Sequence, residues 1–213
     1  MLKMTEERKK LKDKKMSLTV FAGTFNPIHL AHLIVAESVR TELNADKILF
    51  IPSNIPPHRD EDLASAEHRL NMVKSAVESN PFFEVSDIEL KLPGVSYTYN
   101  TIQELYRQNP DITDKINFII GADAFTHIES WHKHEELAKQ VNFIVIARPK
   151  SKKVQEIINN LSLKEFSYKF IVAPKIDISS SDIRQKIKEQ KSVKYLVPDS
   201  VENYIVENKL YTL

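Results

Sequence analysis

The feature that most constrains the fold is an alternation of short, continuously apolar segments with segments of helical apolar spacing. A first strand leads from Leu18 to Gly23, and further strands are predicted at 47–51, 116–120, 142–147 and 170–173. Helices are predicted to follow Gly23 and at 66–77, 101–106, 181–189 and 200–207. Strands that are apolar throughout and separated by helices are typical of a parallel sheet covered on both faces. The predicted fold is therefore a doubly wound α/β sheet.

This fold class also predicts where a ligand binds. In open α/β sheets, ligands lie beyond the carboxyl ends of the strands, at the point where the strand order reverses. Functional side chains are therefore expected just after Phe21, Ile51 and Ile120, and after the strand at Phe170.

The three glycines narrow the choice of chemistry. Gly23, Gly94 and Gly121 are the only ones, so neither a G-x-G-x-x-G dinucleotide turn nor a G-x-x-x-x-G-K-[ST] phosphate loop is present. A hydride-transferring Rossmann enzyme and a P-loop kinase or ATPase are thereby disfavoured. Gly23 and Gly121 both close predicted strands, where a missing side chain would let the backbone approach a ligand closely.

Composition excludes several further classes. The chain has no Cys, which removes disulfide scaffolds, thiolate zinc sites and Cys nucleophiles and leads us to expect a cytoplasmic protein. No apolar segment approaches the roughly 20 residues that span a bilayer. Residues 1–16 are rich in Lys and Glu and are expected to form a solvated or frayed helical arm, or an upstream start before Met16, with no assigned function. Residues 17–213 are predicted to form a single domain.

A histidine pair follows the first predicted strand. Pro27 suits the start of a helix because it lacks an amide proton, and His29 and His32 follow, three residues apart. That spacing puts both imidazoles on one side of the first helical turn. Together with the unpaired amides of a helix start, they are suited to hold phosphate oxygens. Metal ligation is the alternative role, but no third ligand lies nearby in the sequence.

A serine cluster near the C-terminus carries a second signal. Ser179, Ser180 and Ser181 precede the apolar positions of a predicted helix, where a serine N-cap and free amides point toward an anion. Arg184 offers a planar fork of donors on the first turn of that helix. The alternative is an ordinary serine cap beside a surface arginine.

Both segments resemble a known family. Residues 23–32 resemble the (H/T)xGH signature of the nucleotidyltransferase superfamily, in the form found in bacterial nicotinate-nucleotide adenylyltransferases. Ala31 stands where that family commonly has Gly, and Asn26 where it often has Asp, and both changes keep the shape of the turn. Residues 178–184 resemble the I-S-S-(T/S)-x-I-R motif that holds the ATP triphosphate in the superfamily. The resemblance runs from about Leu18 to Tyr211.

Further segments resemble the nicotinate-nucleotide enzymes in particular. Residues 56–59 resemble their P-P-H-(K/R) loop, and residues 96–101 resemble the S-Y-T segment from which Thr98 would contact the nicotinate end. Residues 121–123 match G-A-D, where Asp123 is suited to accept hydrogen bonds from ribose hydroxyls. Trp131 matches the Trp of the family's W-Y pair and would stack on the pyridine ring, whereas His132 stands where Tyr is frequent.

The resemblance implies an enzyme that transfers the adenylyl group of ATP to nicotinate mononucleotide, forms deamido-NAD and pyrophosphate, and uses Mg²⁺ with ATP. It assigns catalysis to His29, His32 and Arg184. With Arg184, ATP binding is implied for Gly23, Thr24, Phe25, Gly121, Asp123, Ser179, Ser180 and Ser181. Binding of the nicotinate nucleotide is implied for Asn26, His58, Arg59, Thr98 and Trp131.

Two alternatives stay open. One is a sibling transferase, such as a pantetheine-phosphate adenylyltransferase or a cytidylyltransferase, which would share the two phosphate motifs. The other is a non-catalytic nucleotide-binding or tRNA-related module. With 30 Lys and Arg against 29 Asp and Glu, the chain has little electrostatic attraction for RNA. We expect small-molecule partners, no nucleic acid and no membrane, and leave the oligomeric state open.

Overall fold

Six strands form one sheet in the computed structural model, which describes residues 18–57, 62–147, 166–174 and 176–212. The strands are β1 (Thr19–Gly23), β2 (Ile48–Pro52), β3 (Phe83–Val85), β4 (Ile116–Gly121), β5 (Val141–Ala147) and β6 (Ser167–Val172). They lie in the order β3-β2-β1-β4-β5-β6, and every neighbouring pair is parallel. The predicted basic arm at 1–16 and the loop residues His58 and Arg59 lie outside the described residues.

Helices cover both faces of the sheet. They are α1 (Leu30–Leu43), α2 (Ala66–Val77), α3 (Ile88–Lys91), α4 (Thr98–Gln108), α5 (Ala122–Phe125), α6 (His134–Gln140), α7 (Ser180–Lys188) and α8 (Asp199–Glu207). One buried apolar cluster contains side chains of α1, α2, α7 and α8, and a second contains side chains of α4 and α6. The sheet thus lies between two hydrophobic layers, which confirms the predicted doubly wound fold.

Most predicted elements lie within a few residues of the observed ones. The prediction missed β3 and the short helices α3, α5 and α6, because segments of three to seven residues carry too little periodicity to be recognised. Helix α4 begins at Thr98, three residues earlier than predicted. Thr98 therefore lies in the first turn of a helix.

The sheet opens between its two central strands. Pairing of β1 with β2 continues to Gly23 and Pro52, whereas pairing of β1 with β4 ends at Val20 and Phe118. The strand order also reverses at this point, since β2 and β3 lie on one side of β1 and β4 to β6 on the other. A crevice at the carboxyl ends of β1 and β4 is the place where ligands bind in such sheets.

Among the described residues, no helix is both long enough and apolar enough to cross a membrane.

Candidate active site

The two histidines lie against each other at the start of α1. His29 is the N-cap residue, and its ring stacks on that of His32 with 3.7 Å between ring centroids and 24° between planes. The backbone N–H of His29 donates to Nδ1 of His32 over 3.2 Å. This bond requires Nδ1 to be the acceptor, so neutral His32 carries its proton on Nε2. A donor suited to a phosphate oxygen is thereby fixed on one imidazole.

Both imidazoles are neutral at physiological pH. His29 is only 5% exposed, and burial lowers its pKa from 6.5 to about 4. Burial also lowers the pKa of His32 well below its usual value, and repulsion from His29 lowers it further. The Nδ1 atom of His29 is buried without a hydrogen-bond partner within the described part of the chain. The pair therefore presents donors rather than positive charge to a ligand.

The Phe25 side chain packs against the histidine pair. Its backbone has φ of 48°, a left-handed conformation that is uncommon outside glycine, and its ring is 3% exposed. The ring packs edge-on against His32, with 5.1 Å between centroids. A Cβ on Gly23 would lie 3.3 Å from the Phe25 ring. The missing side chain of Gly23 thus makes room for Phe25. The predicted close approach of a ligand to the Gly23 backbone stays a prediction.

The start of α1 differs from the prediction in one respect. The backbone amide of Leu30 donates to the carbonyl of Leu196 over 3.0 Å, and the amide of His32 donates to the carbonyl of His29. The amide of His29 is bonded to the His32 ring. Because these amides already have protein acceptors, the imidazoles, and not a row of free amides, are what this helix start offers to an anion.

The two distant motifs meet in this structure. Ser180 Oγ donates to the carbonyl of Pro27 over 2.8 Å, and Arg184 Nη1 donates to the carbonyl of Asn26 over 2.9 Å. These acceptors lie immediately before the histidine pair in the chain. The serine and arginine segment is therefore held against the histidine segment, as a shared phosphate site requires.

The start of α7 is capped as predicted. Ser179 is the N-cap residue, and its hydroxyl accepts from the amide of Asp182 over 3.1 Å. Within the part of the chain that the structure describes, the amides of Ser180 and Ser181 have no recorded acceptor. These two amides, with the 8% exposed guanidinium of Arg184, form the positively polarised wall of the site.

The Asn26 side chain is held by hydrogen bonds within the protein. Its side chain is 2% exposed; Oδ1 accepts from Tyr211 Oη (2.7 Å) and from the amide of Ala64 (3.1 Å). Its Nδ2 donates to the carbonyl of Asp62 over 2.9 Å. These protein partners give Asn26 a structural role, and its predicted contact with the nicotinate nucleotide stays a prediction.

The residues predicted for the nicotinate end lie on neighbouring segments. Tyr97, next to Thr98, packs its ring on His132 with 4.6 Å between centroids. Trp131 precedes His132 and contacts Phe118 of β4 edge-on at 6.2 Å. The structure thus brings the segments of Thr98 and Trp131 side by side, and the half-buried indole also packs against the sheet.

The end of β4 contributes the remaining predicted residues. Gly121 is exposed, and no atom lies within 4 Å of where its Cβ would be. Asp123 lies exposed in the first turn of α5. Both residues therefore border the crevice between β1 and β4. Their predicted contacts with ATP remain predictions.

Sequence reasoning missed Arg69. This residue of α2 is fully buried, and its guanidinium donates to the carbonyls of Thr24 (2.9 Å), Ser53 (2.6 Å), Asn54 (2.8 Å) and Ala64 (3.0 Å). Its position in the helix was a signal for this role, because residues 69, 70, 72, 73, 76 and 77 form the buried face of α2 and only the first of them is charged.

Glu89 is a second buried charged group that the sequence did not reveal. It is 4% exposed, and Oε1 accepts from the hydroxyl of Thr101 over 2.7 Å. Burial raises its pKa, although the hydrogen bond from Thr101 and the charge of Arg69 act in the opposite direction. The buried Glu89 carboxyl thus contacts the first turn of α4 through Thr101.

Comparisons with known proteins agree with this geometry. Residues 20–186 match the family model described as cytidylyltransferase-like, a class of α/β proteins. A probable nicotinate-nucleotide adenylyltransferase of Oceanobacillus iheyensis is 40% identical over 90% of this chain and 95% of that protein. One from Caldicellulosiruptor saccharolyticus is 39% identical over 92% and 99%. The chain belongs to the nicotinate-nucleotide adenylyltransferase family within that class.

Solved structures share the fold. The nicotinic acid mononucleotide adenylyltransferase of Plasmodium falciparum, complexed with NaAD, superposes with a TM-score of 0.75 at 24% identity, covering 92% of this chain and 97% of that chain. The same enzyme complexed with APC gives a TM-score of 0.73, over 92% and 96%. At this identity the likeness concerns the fold alone.

Proposed function

We propose that this chain transfers the adenylyl group of ATP to nicotinate mononucleotide, releasing pyrophosphate and forming deamido-NAD. The observation that carries this proposal is the pair of hydrogen bonds from Ser180 and Arg184 to the loop before the histidines. They hold together two segments that lie about 150 residues apart in the chain, which supports a single anion site formed by both. Family membership supplies the substrates.

The reaction needs alignment more than it needs a base. A phosphate oxygen of the mononucleotide attacks the α-phosphorus of ATP, and the bond from that phosphorus to the bridging oxygen breaks. The leaving pyrophosphate takes the electron pair. Because the attacking phosphate is already ionised, no residue has to remove a proton from it. The protein must hold two anions that repel each other and stabilise the charge that moves onto the pyrophosphate.

The proposed site combines two neutral hydrogen-bond donors, the imidazoles, with one positive charge, the guanidinium of Arg184. Neutral His29 and His32 bind phosphate oxygens as hydrogen-bond donors throughout the transfer, with His32 donating from Nε2. Arg184 and the amides of Ser180 and Ser181 hold the departing pyrophosphate. This arrangement places the positive charge on the leaving-group side, where negative charge accumulates.

Mg²⁺ accompanies ATP in this proposal. Among the described residues, no group of three or more His, Asp or Glu side chains is close enough together to hold a metal ion. The ion would then be held largely by phosphate oxygens and water. When bound, the ion neutralises phosphate charge. The cytoplasmic location expected from the lack of Cys stays a prediction that cell fractionation tests.

A pyrophosphate-release assay with three acceptors tests the activity. We expect turnover with nicotinate mononucleotide to exceed turnover with nicotinamide mononucleotide and with phosphopantetheine. Preference for phosphopantetheine would instead identify a sibling transferase, and no release with any acceptor would favour a non-catalytic nucleotide-binding module.

The same assay tests the role of His32. We expect His32→Ala to lower kcat about 100-fold while the KM for each substrate changes much less, since its donor matters most as charge moves. His127→Asn, at an exposed histidine outside the site, is the matched control. A His32→Ala protein that turns over near the wild-type rate would show that the imidazole has no catalytic role.

A further inference from the structure

One short segment connects the two halves of the proposed site. Residues Ser53 to Ile55 follow β2 directly and lead into the loop at 56–59. On one side, the carbonyls of Ser53 and Asn54 accept from the guanidinium of Arg69. On the other side, the amides of Asn54 and Ile55 donate to Ser96 Oγ over 2.9 and 3.3 Å. We call residues 53–55 the connecting segment.

Arg69 and Ser96, the two residues that bond to the connecting segment, each also contact one of the two proposed substrate sites. Arg69 donates to the carbonyl of Thr24, in the loop that leads to the histidine pair. Ser96 lies two residues before Thr98, and its backbone amide donates to the carbonyl of Ile55 over 2.9 Å. The loop at Thr24 and the start of α4 are thus linked through the connecting segment. Arg69 forms its hydrogen bonds on one side of this segment and Ser96 on the other.

We infer that Arg69 and Ser96 are positioning residues, which set the distance and angle between the two bound substrates by holding the connecting segment from opposite sides. The inference rests on the proposed function, and neither side chain has to touch a substrate. It follows from the need of the reaction for alignment, because a displacement of about 1 Å between reacting groups costs about 100-fold in rate.

The chemistry of the two anchors suits rigid positioning. A guanidinium is planar and presents its donors in fixed directions. Its hydrogen bonds to four backbone carbonyls therefore fix the orientation of the guanidinium and the relative positions of those carbonyls. A lysine in the same place would offer one compact ammonium with three rotatable donors, which would not fix the directions of the acceptors. The hydroxyl of Ser96 accepts hydrogen bonds from the backbone amides of Asn54 and Ile55, which lie beyond the end of β2 and have no partner among the described strands of the sheet.

Steady-state kinetics of Arg69→Met, Arg69→Lys, Ser96→Ala and the double variant Arg69→Met/Ser96→Ala test this inference. We expect the Arg69 variants to lower kcat about 10- to 100-fold and Ser96→Ala about 10-fold. Arg69→Met should raise the KM for ATP more than that for the mononucleotide, and Ser96→Ala the reverse. The double variant should be little slower than Arg69→Met alone, because both side chains hold the same segment.

Thr19→Val is the matched control for loss of a buried polar contact. Thr19 is fully buried at the amino-terminal end of β1, where its hydroxyl accepts from Asn117. We expect this variant to lower Tm yet keep kcat within about 2-fold, since it lies at the opposite end of the strand from the site.

Several outcomes overturn the inference. Folded Arg69 and Ser96 variants with wild-type kcat, or losses that multiply fully in the double variant, would each show that the connecting segment does not act as one unit. If Arg69→Met does not fold, the half-buried Ser96→Ala decides by the same kinetic criteria. A wild-type protein inactive with nicotinate mononucleotide would instead refute the proposed function, and the positioning role with it.

Discussion

The histidine pair, with His29 buried and His32 half-buried, makes the stability of this protein depend on pH in a way that can be measured. His29 has a pKa of about 4 in the folded protein, against 6.5 as its ordinary value. Between these two pH values the unfolded chain binds a proton at His29 that the folded protein does not bind. The free energy of unfolding is therefore fully retained above about pH 6.5 and falls as the pH is lowered toward 4.

The size of this effect follows from the shift. One pKa unit corresponds to about 1.4 kcal/mol, so the shift at His29 removes about 3 kcal/mol of stability between neutral pH and pH 4. His32 acts in the same direction, because burial and the neighbouring imidazole lower its pKa as well. A double variant should therefore lose more of the pH dependence than either single one.

Urea unfolding from about pH 7 to about pH 4 measures the difference between the wild type and His29→Asn. Asparagine is a favoured N-cap residue, so this variant keeps α1 capped while it removes the titrating group. Carboxylates that titrate in the same range are common to both proteins and cancel in the comparison. We expect the wild type to lose about 3 kcal/mol more than the variant. Equal slopes for the wild type and His29→Asn would refute the assignment of a neutral, buried imidazole.

Two further substitutions test the support of the site. Tyr211→Phe removes the 2.7 Å hydrogen bond to Asn26 and should lower the free energy of unfolding by about 1 kcal/mol, which urea denaturation measures; an unchanged value would mean that the bond contributes nothing net. Gly23→Ala should cost about 1 kcal/mol or more, because the added Cβ lies 3.3 Å from the Phe25 ring, and it should raise the KM for ATP through His32. Gly121→Ala meets no atom within 4 Å, so a loss of stability there equal to that of Gly23→Ala would contradict the packing argument.

The sequence predicted the central part of the fold because its signals there are local. Strands β1, β2, β4 and β5 are mainly apolar, and each is followed by a turn or a helix pattern. Strand β6 was placed about three residues late, because its exposed and buried residues alternate and the apolar run is confined to its end. The two phosphate motifs were recognisable for the same reason: each is a contiguous segment at the end of a strand or the start of a helix.

The parts that sequence reasoning missed depend on contacts between distant segments. No pattern within 23–32 indicates that the amides of His29 and Leu30 are already bonded, since the acceptor of Leu30 lies at Leu196. Nor does the motif itself show that Asn26 bonds to Tyr211, which is 185 residues away. A motif therefore identifies which residues lie at the site, but the fold decides which of them remain available to a ligand.

Arg69 shows why a charged residue within a buried stripe is informative. Burying a guanidinium is costly unless several acceptors surround it. Backbone carbonyls lose their sheet partners where parallel strands end, so the carboxyl edge of the sheet is where such acceptors are available. Those carbonyls belong to the loops that form the site in this fold class. An arginine at the first buried position of a helix beside that edge is thus a candidate for holding the loops there, which is the role that we infer for Arg69.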